Sequence, residues 1–391
     1  MTRNETRKGP TTTGYVARAG SLFCGILAVC LAGRLTAAEY RLWWGDVHTH
    51  TDLSDGTGTL DQLLTRARDV ARLDFVIVTD HDFGHGPPWR MSQQTWNQIQ
   101  DKVDEYTVEG RFIAIAGYEW TSQPKYWTDV GKNELSERLF PGPPKFYNHK
   151  NVYFPSRVEH ICSAKDPAYF TPELLAQAVR QRGGLIQNNH PDGGPEGRDQ
   201  WDYLPGQHAV ITNTEIRADT LRYEGKTHRL DCERLIREFL GRGGKTGFVL
   251  GTDTHDGKPA ARTAVLAERL TRQALFEALR NRRNYAVSHA RIALDFQING
   301  HRLGEEIVTR EKPELTVSVT GTAPVAELAI IRDGSVLHRL TPNTAQVRFT
   351  FRDESFRQSS YYYLRVVQRD ADEHGNPSHA WSSPIWVRQK P

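Results

Sequence analysis

The feature that most constrains the fold of this chain is a series of short apolar runs, each followed by a histidine or a carboxylate. FVIVT at 75–79 leads into His81, and FIAIAG at 112–117 leads into Glu119. A run that is apolar throughout is typical of a strand buried on both faces of a parallel sheet. Because the loops at the carboxyl ends of such strands converge on one mouth, the pattern predicts an α/β fold in which these polar side chains meet.

The same arrangement recurs further along the chain, with helical spacing between the runs. The later ligand-type residues beside strand-like runs are His149 before NVYF, His190 after LIQ, Glu215 after AVIT, and Asp253 and His255 after GFVLG. Helices are predicted at 60–71, 96–106, 172–182 and about 229–240. The repetition, rather than any one motif, points to a single functional site.

The first motif of the series is His-x-His. His48 and His50 lie within WGDVHTHTDLSD at 44–55. Successive side chains of a strand point to opposite faces, so these two imidazoles point in the same direction and form half of a metal site. Asp55 follows in a turn from which its carboxylate can fold back toward the strand end. A lone His-x-His also occurs as two polar residues on an exposed edge strand, so the motif depends on the others for its meaning.

The number of candidate ligands indicates more than one metal ion. Mixed imidazole and carboxylate ligands suit Zn, Mn or Fe, and eight or nine of them are too many for one ion. The sequence therefore predicts a multinuclear metal centre. Six of the 15 histidines are interpreted instead as surface or capping residues: His85, His160, His208, His228, His289 and His301.

Five segments carry a resemblance to a known family: HTHTDLSDG, VTDHD, GYEWT, NNHPD and GTDTHDG. In order and number they resemble the motif series of the polymerase and histidinol phosphatase (PHP) superfamily. GYEW, HKNVYF and LRNRRNYAVSHARI resemble its secreted branch, catalogued as a domain of unknown function. The resemblance covers about residues 44–291. It implies a distorted seven-stranded β/α barrel that holds two or three divalent metal ions and cleaves phosphoesters.

The resemblance also implies which side chains bind the ions. The implied ligands are His48, His50, Asp55, His81, Glu119, His149, His190, Asp253 and His255. Asn148, directly before His149, stands where that branch usually has glycine. Glu119 is the natural carboxylate to bridge two ions, and Asp253 could also orient the nucleophile.

These observations favour a metal-dependent hydrolase of phosphoesters, with a phosphomonoester as the preferred substrate. Two nearby cations lower the pKa of a bridging water, so that hydroxide exists near neutral pH. Arg262 and Arg90 are candidate phosphate clamps, because a guanidinium makes bidentate contacts to phosphate. Each is also interpretable as a solvated or ion-paired arginine.

Two other functions stay open. An amidohydrolase-like enzyme that cuts a C–N bond would also begin with His-x-His, but it would use a bridging lysine where this chain has Glu119. A non-catalytic metal- or glycan-binding protein would use aromatic side chains as a sugar platform. The candidates for that platform are Trp89, Trp120, Trp127 and Trp201.

The sequence pattern changes at Ile292. Short alternating strands follow, separated by Asn-Gly and Asp-Gly turns. The pattern predicts an all-β, sandwich-like domain at 292–391 after a hydrolase barrel at 39–291. Packing against the barrel is favoured over a separate sugar- or surface-binding role. Cys162 and Cys232 could pair or stay buried, and their spacing does not decide.

Residues 1–38 have the composition of a secretory signal peptide. A basic lead precedes an apolar run at 21–33, and small residues precede Glu39. The run is shorter than the roughly twenty residues that span a bilayer, so an uncleaved anchor is the weaker alternative. We therefore expect a periplasmic or secreted protein with no stable membrane span after cleavage. Without this leader the chain has 45 basic and 46 acidic residues, and no basic stripe suggests nucleic-acid binding.

Overall fold

The computed structural model describes most of the chain after the leader. The described residues are 40–82, 91–122, 147–192, 205–218, 220–223, 226–229 and 231–390. The predicted signal peptide at 1–38 lies outside the described residues. The same holds for Arg90 and for Trp89, Trp127 and Trp201.

Among its described residues, the first part of the chain contains more strands than helices. The strands are β1 (Arg41–Asp46), β2 (Phe75–Val78), β3 (Ile113–Thr121), β4 (His149–Tyr153), β5 (Leu185–Asn188), β6 (Ile211–Glu215), β7 (Thr220–Tyr223), β8 (Lys226–Arg229), β9 (Gly247–Val249), β10 (Thr263–Ala267) and β11 (Asn284–Val287). The helices are α1 (Leu60–Thr65), α2 (Gln93–Tyr106), α3 (Pro172–Gln181), α4 (Cys232–Gly241) and α5 (Arg272–Arg280). The mixed α/β class predicted from the sequence is therefore present.

Seven of these strands form one continuous path in the order β1-β2-β3-β4-β5-β6-β9. Neighbours are parallel except at β4, which runs antiparallel to both β3 and β5. The sheet is therefore mixed, whereas a uniformly parallel sheet is the simplest prediction from buried apolar runs. The reversal places the first residue of β4, His149, opposite Thr121 near the end of β3. His149 therefore lies at the edge of the sheet where the parallel strands end, although it is at the start of its own strand.

The segments that follow β1 and β9 also meet. Thr49 and Thr254 form an isolated parallel bridge. The His50 N–H donates to the Thr254 carbonyl at 3.0 Å, and the Asp253 N–H donates to the His48 carbonyl at 2.9 Å. The first and last motifs of the series are therefore joined through their backbones. Closure of the seven strands into a barrel stays a prediction.

Helix α1 ends earlier than the sequence predicts. Arg66–Val70 forms a π-helical turn, closed by a hydrogen bond from the Ala71 N–H to the Arg66 carbonyl at 2.8 Å. A wider turn of this kind rotates the residues that follow it about the helix axis. Val70 is consequently 75% exposed, although its spacing predicts a place on the buried face with Leu63 and Ala67.

The last hundred residues are all β. The strands are β12 (Ala293–Ile298), β13 (Glu306–Thr309), β14 (Glu314–Thr320), β15 (Val325–Arg332), β16 (Ser335–Leu340), β17 (Gln346–Arg352), β18 (Ser360–Ala371), β19 (Pro377–Ser382) and β20 (Ile385–Gln389). Strands β12, β14 and β17 form a separate sheet, and the others belong to the large sheet. Leu294, Val317, Ile330 and Leu364 share one buried cluster, so the two sheets pack face to face as in a sandwich.

The large sheet continues from this part into the α/β part. Strand β11 pairs with β19, and Ala286 lies opposite Trp381.

Cys162 and Cys232 do not form a disulfide. Both are buried as free thiols, which is one of the two possibilities that the sequence leaves open. Within the described residues, no helix combines the length and the apolar character needed to cross a membrane. The boundary between 39–291 and 292–391 as independent domains stays a prediction.

Candidate metal centre

His48 and His50 lie directly after β1, and both side chains are fully buried. Thr49 between them is engaged with β2, because its Oγ1 donates to the Ile77 carbonyl at 2.9 Å. The two imidazole rings share one side of the backbone, and their centroids are 5.1 Å apart. This is the geometry that a strand period of two predicts for His-x-His.

The buried Glu119 side chain lies between two sets of imidazoles. The ring nitrogens near its Oε1 belong to His149 (Nδ1, 3.2 Å), His48 (Nε2, 3.3 Å) and His190 (Nε2, 3.5 Å). Those near its Oε2 belong to His81 (Nδ1, 2.9 Å) and His50 (Nε2, 3.5 Å). Each oxygen of one carboxylate therefore faces a different set of donors, which is the arrangement a bridging ligand needs.

Two aspartates lie on the same cluster. Asp55 Oδ2 is 3.4 Å from His81 Nε2, and Asp55 Oδ1 is 3.3 Å from His255 Nε2. Asp253 Oδ1 is 3.1 Å from His50 Nε2. The structure thus brings together all nine side chains that the motif series implies as ligands. That they bind metal stays a prediction.

The donor atoms fit divalent metal ions. Ligand atoms lie within 4.8 Å of one another in three overlapping groups: His50, Asp55, His81 and His255; His48, His50 and Glu119; and His81, Glu119 and His149. In addition, His48 Nε2 and both ring nitrogens of His50 are buried, and the carboxylate oxygens close to them are not aligned for a hydrogen bond. Leaving a buried polar atom unsatisfied is costly, and coordination of a metal ion would satisfy these nitrogens. A mixed set of imidazoles and carboxylates suits Zn, Mn or Fe.

The electrostatics of the cluster keep its carboxylates ionised. Burial alone would raise the pKa of Glu119, but the surrounding imidazoles, above all that of His149, hold it well below its usual range. Burial would lower the pKa of His48, but Asp253, Glu119 and Glu215 together hold it well above its usual range. An ionised carboxylate inside a buried cluster is available to bind cations.

Three residues at the centre have left-handed backbone conformations: Asn148 (φ +59°), His190 (φ +24°) and Asp253 (φ +54°). Such conformations cost free energy in residues with a side chain, and they are often found at functional sites. Asparagine tolerates this region better than most residues. Asn148 also donates from Nδ2 to the carbonyls of Asn189 and His190, both at 3.1 Å. An asparagine at position 148 is therefore compatible with the left-handed backbone there.

Two buried side chains outside the implied ligand set contact its members. Asn189 Nδ2 donates to Glu119 Oε1 at 2.7 Å, and Glu215 Oε1 lies 3.0 Å from His48 Nδ1. The sequence shows both residues beside strand ends, which is a signal of proximity to the site. Glu215 is a ligand-type residue in that pattern, but the pattern shows neither its contact with His48 nor the hydrogen bond of Asn189 to Glu119.

Arg262 lies immediately before β10 and is half-buried. Its backbone N–H donates to the Gly45 carbonyl at 3.1 Å, which places it beside the end of β1. Its role as a phosphate clamp stays a prediction. Trp120 is buried, and its Nε1 donates to the Tyr169 carbonyl at 2.9 Å. It therefore packs in the core and is not an exposed sugar platform.

Comparison with known proteins gives distant similarities. No family model matches the chain. A protein of Chlamydia muridarum is 26% identical over 384 residues, and one of Chlamydia trachomatis is 27% identical over 379 residues; both are described as uncharacterized. The alignments cover 90% and 89% of this chain but only 58% and 57% of those relatives. The chain thus spans little more than half the length of the curated relatives it matches.

A solved structure is similar to this chain over most of the length of both proteins. It is a two-domain protein from Bacteroides vulgatus described as containing a predicted PHP-like metal-dependent phosphoesterase. The similarity covers 89% of this chain and 95% of that chain, with 14% sequence identity and a TM-score of 0.46.

Proposed function

We propose that this protein is a metal-dependent hydrolase of phosphoesters, with a phosphomonoester as its substrate, and that it works in the periplasm or outside the cell. The observation that carries the proposal is the position of Glu119, whose two oxygens face separate sets of imidazoles inside a cluster of nine ligand-type side chains. The motif series that resembles the PHP superfamily supports the choice of a phosphoester.

The side of the cluster that carries Asp55 and His255 is open to solvent, so a substrate would approach from there. His48, His50 and Glu119 are buried, whereas the side chains of Asp55 and His255 are each 41% exposed. His255 Nδ1 lies 2.9 Å from the Asp253 carbonyl. Donation of that ring proton to the carbonyl directs Nε2 toward the site. When bound, divalent ions would act as Lewis acids toward phosphoryl oxygens and activate water as the nucleophile.

The arrangement favours this chemistry over amide hydrolysis by a lysine-bridged centre. Glu119 occupies the position between the two sets of imidazoles. Lys150, on the adjacent strand β4, is buried and donates from Nζ to the Tyr147 carbonyl at 3.2 Å and to Asn188 Oδ1 at 3.1 Å. Its ammonium group is thus held by other partners.

The test combines metal analysis of the purified protein with a substrate panel. The panel contains a phosphomonoester, a phosphodiester, a sulfate ester and an amide, each assayed with Mn²⁺, Zn²⁺ and Fe²⁺. We expect bound metal and turnover of the phosphomonoester, and loss of both in His81→Ala and Asp253→Ala with the fold retained. Turnover of the amide alone would overturn the proposal in favour of C–N cleavage, and bound metal without any turnover would favour a binding protein.

The cellular location is tested separately, by sequencing the amino terminus of protein recovered from each cell fraction. An amino terminus at Glu39 in protein recovered from the periplasm or medium supports export, and an intact Met1 in the cytosol contradicts it.

A further inference from the structure

Glu215 is a buried carboxylate that belongs to none of the three ligand groups. It is the last residue of β6. Its Oε1 lies 3.0 Å from His48 Nδ1 and accepts a weaker hydrogen bond from Gln187 Nε2 at 3.4 Å. Its Oε2 accepts the backbone N–H of His190 at 2.9 Å. One side chain therefore contacts two residues of the implied ligand set, one through its ring and one through its backbone.

We propose that Glu215 is a positioning residue that holds His48 and His190 in the geometry needed to bind metal. This inference rests on the metal centre of the proposed function. With Nδ1–H donated to Glu215, Nε2 is the nitrogen of His48 that faces the cluster and is left to bind an ion; Glu119 Oε1 and Asp253 Oδ1 are each 3.3 Å from it. A carboxylate that orients a metal-binding imidazole through its second nitrogen is a recurring way to fix the ring and its tautomer.

The contact with His190 has a different physical basis. His190 has a φ of +24°, which a residue with a side chain adopts only when its surroundings enforce it. Its N–H is bonded to Glu215, and its carbonyl accepts from Asn148. The rings of His190 and His48 stack with centroids 6.0 Å apart. Glu215 therefore couples the position of one ligand to that of the other.

The chemistry of the site requires a carboxylate rather than an amide. Donors converge on Glu215 from His48, from the His190 backbone and from Gln187, and an ionised carboxylate offers only acceptors. A glutamine in its place would present one oxygen and one NH₂ group. If the NH₂ group faced His48, Nδ1 would have to accept, and the proton would move to Nε2, where it would block metal binding. If it faced His190, it would meet an N–H donor.

The experiment measures Zn²⁺ affinity of the metal-depleted full chain by competition with a chelator, and stability of the same samples by urea unfolding. We expect Glu215→Gln to weaken Zn²⁺ binding by about 10- to 100-fold. Glu215→Asp keeps two acceptor oxygens and should recover part of that affinity. The matched control is Glu233→Gln, which alters another buried carboxylate with three donors, from Tyr363, Arg365 and Trp381. It should lower stability without changing Zn²⁺ affinity.

The possible results separate this inference from the proposed function. Wild-type affinity in Glu215→Gln would overturn the positioning role and leave the metal centre intact. Equal losses of affinity in Glu215→Gln and Glu233→Gln would also overturn it, because they would reflect stability alone. Failure of Glu215→Asp to bind better than Glu215→Gln would exclude the requirement for a carboxylate. A wild-type chain that binds no Zn²⁺, Mn²⁺ or Fe²⁺ would overturn the metal centre and this inference with it.

Discussion

At the scale of single residues, Glu119 is the side chain whose replacement tests the bridging role most directly. Glu119→Gln keeps nearly the same shape but removes one negative charge from a carboxylate that faces imidazoles on both sides. We expect turnover of a phosphomonoester to fall by about a hundredfold or more, and the second ion to bind more weakly. The free energy of unfolding should change less, because the charge acts on the cluster rather than on the apolar core. Steady-state kinetics and metal analysis of the same sample measure both effects.

Excess metal in the assay should recover part of the rate lost in Glu119→Gln. Glu233→Gln is the control, since Glu233 is also a buried glutamate but bonds to side chains of the all-β part. It should keep its metal content. A Glu119→Gln variant with an unchanged rate would rule out the bridging role.

Two substitutions of Asn148 separate two contributions to stability. One is the free-energy cost of a left-handed backbone at a residue with a Cβ, and the other is the loss of the side-chain hydrogen bonds. Asn148→Ala and Asn148→Gly both remove the donor to the Asn189 and His190 carbonyls. Only alanine has a Cβ that opposes a φ of +59°. We expect the alanine variant to be less stable than the glycine variant by about 1 kcal/mol in urea unfolding. Equal stabilities would show that the backbone at 148 relaxes at no cost.

The sequence predicts which residues gather at the site better than it predicts how they are held. His48, Glu119 and Asp253 each follow or end an apolar run, so their meeting at one edge of the sheet follows from the order of strands. The bonds of Asn189 to Glu119 and of Glu215 to His48 join residues separated by 70 and 167 positions. No local pattern encodes such contacts, because they depend on the orientation of side chains across neighbouring strands.

At the scale of elements, the direction of a strand is the property that the sequence leaves open. The run NVYF in β4 is equally compatible with parallel and antiparallel pairing, because burial of both faces produces an apolar run in either case. The structure pairs Tyr153 with Gly117 and His149 with Thr121, so β4 is reversed. Similarly, helical spacing alone cannot reveal the π-helical turn at Arg66–Val70, because one extra residue in a turn changes the phase without changing the composition.

Helix α4 is linked to the all-β part through one buried carboxylate, which gives a prediction about stability. Glu233 accepts hydrogen bonds from Tyr363 Oη at 2.6 Å and Trp381 Nε1 at 3.3 Å, and its Oε2 lies 3.2 Å from Arg365 Nη1. Glu233→Ala leaves these buried donors without their acceptor. We expect the free energy of unfolding to fall by about 3 kcal/mol, measured by urea denaturation.

A surface substitution provides the comparison for Glu233→Ala. Glu354 pairs with Arg352 at 3.2 Å on an exposed strand end, and its side chain is 73% exposed. Glu354→Ala should change the unfolding midpoint little, because exposed ion pairs are screened by solvent. If the two variants lose similar stability, the buried network does not link α4 to the neighbouring strands in the way proposed.

At the scale of the whole molecule, the sequence shows a change of pattern at Ile292, but it does not show that strands on the two sides of this residue pair with each other. Residues from 39 onward cluster as a single compact unit. The pairing of β11 with β19 makes one sheet continuous across the predicted boundary. Leu266 and Tyr285 of the α/β part also belong to the same buried cluster as Leu364. Alternation of apolar residues identifies strands on both sides of residue 292, but it does not specify which edges meet.

This shared sheet predicts that neither part keeps the stability of the intact protein when the two are separated. A chain limited to 39–291 would leave β11 as an unpaired edge and would expose Leu266 and Tyr285, which are buried in the intact protein. Exposed edge strands and apolar patches promote aggregation, so we expect this fragment to aggregate or to unfold at a lower temperature than 39–391. The fragment 292–391 would likewise leave β19 without its β11 partner and would uncover Trp381, so it should also be less stable than the intact chain. Size-exclusion chromatography and thermal unfolding of the three chains measure the difference. A monomeric 39–291 fragment with the thermal midpoint of 39–391 would instead show that the parts are independent domains and that the strand pairing between them adds no stability.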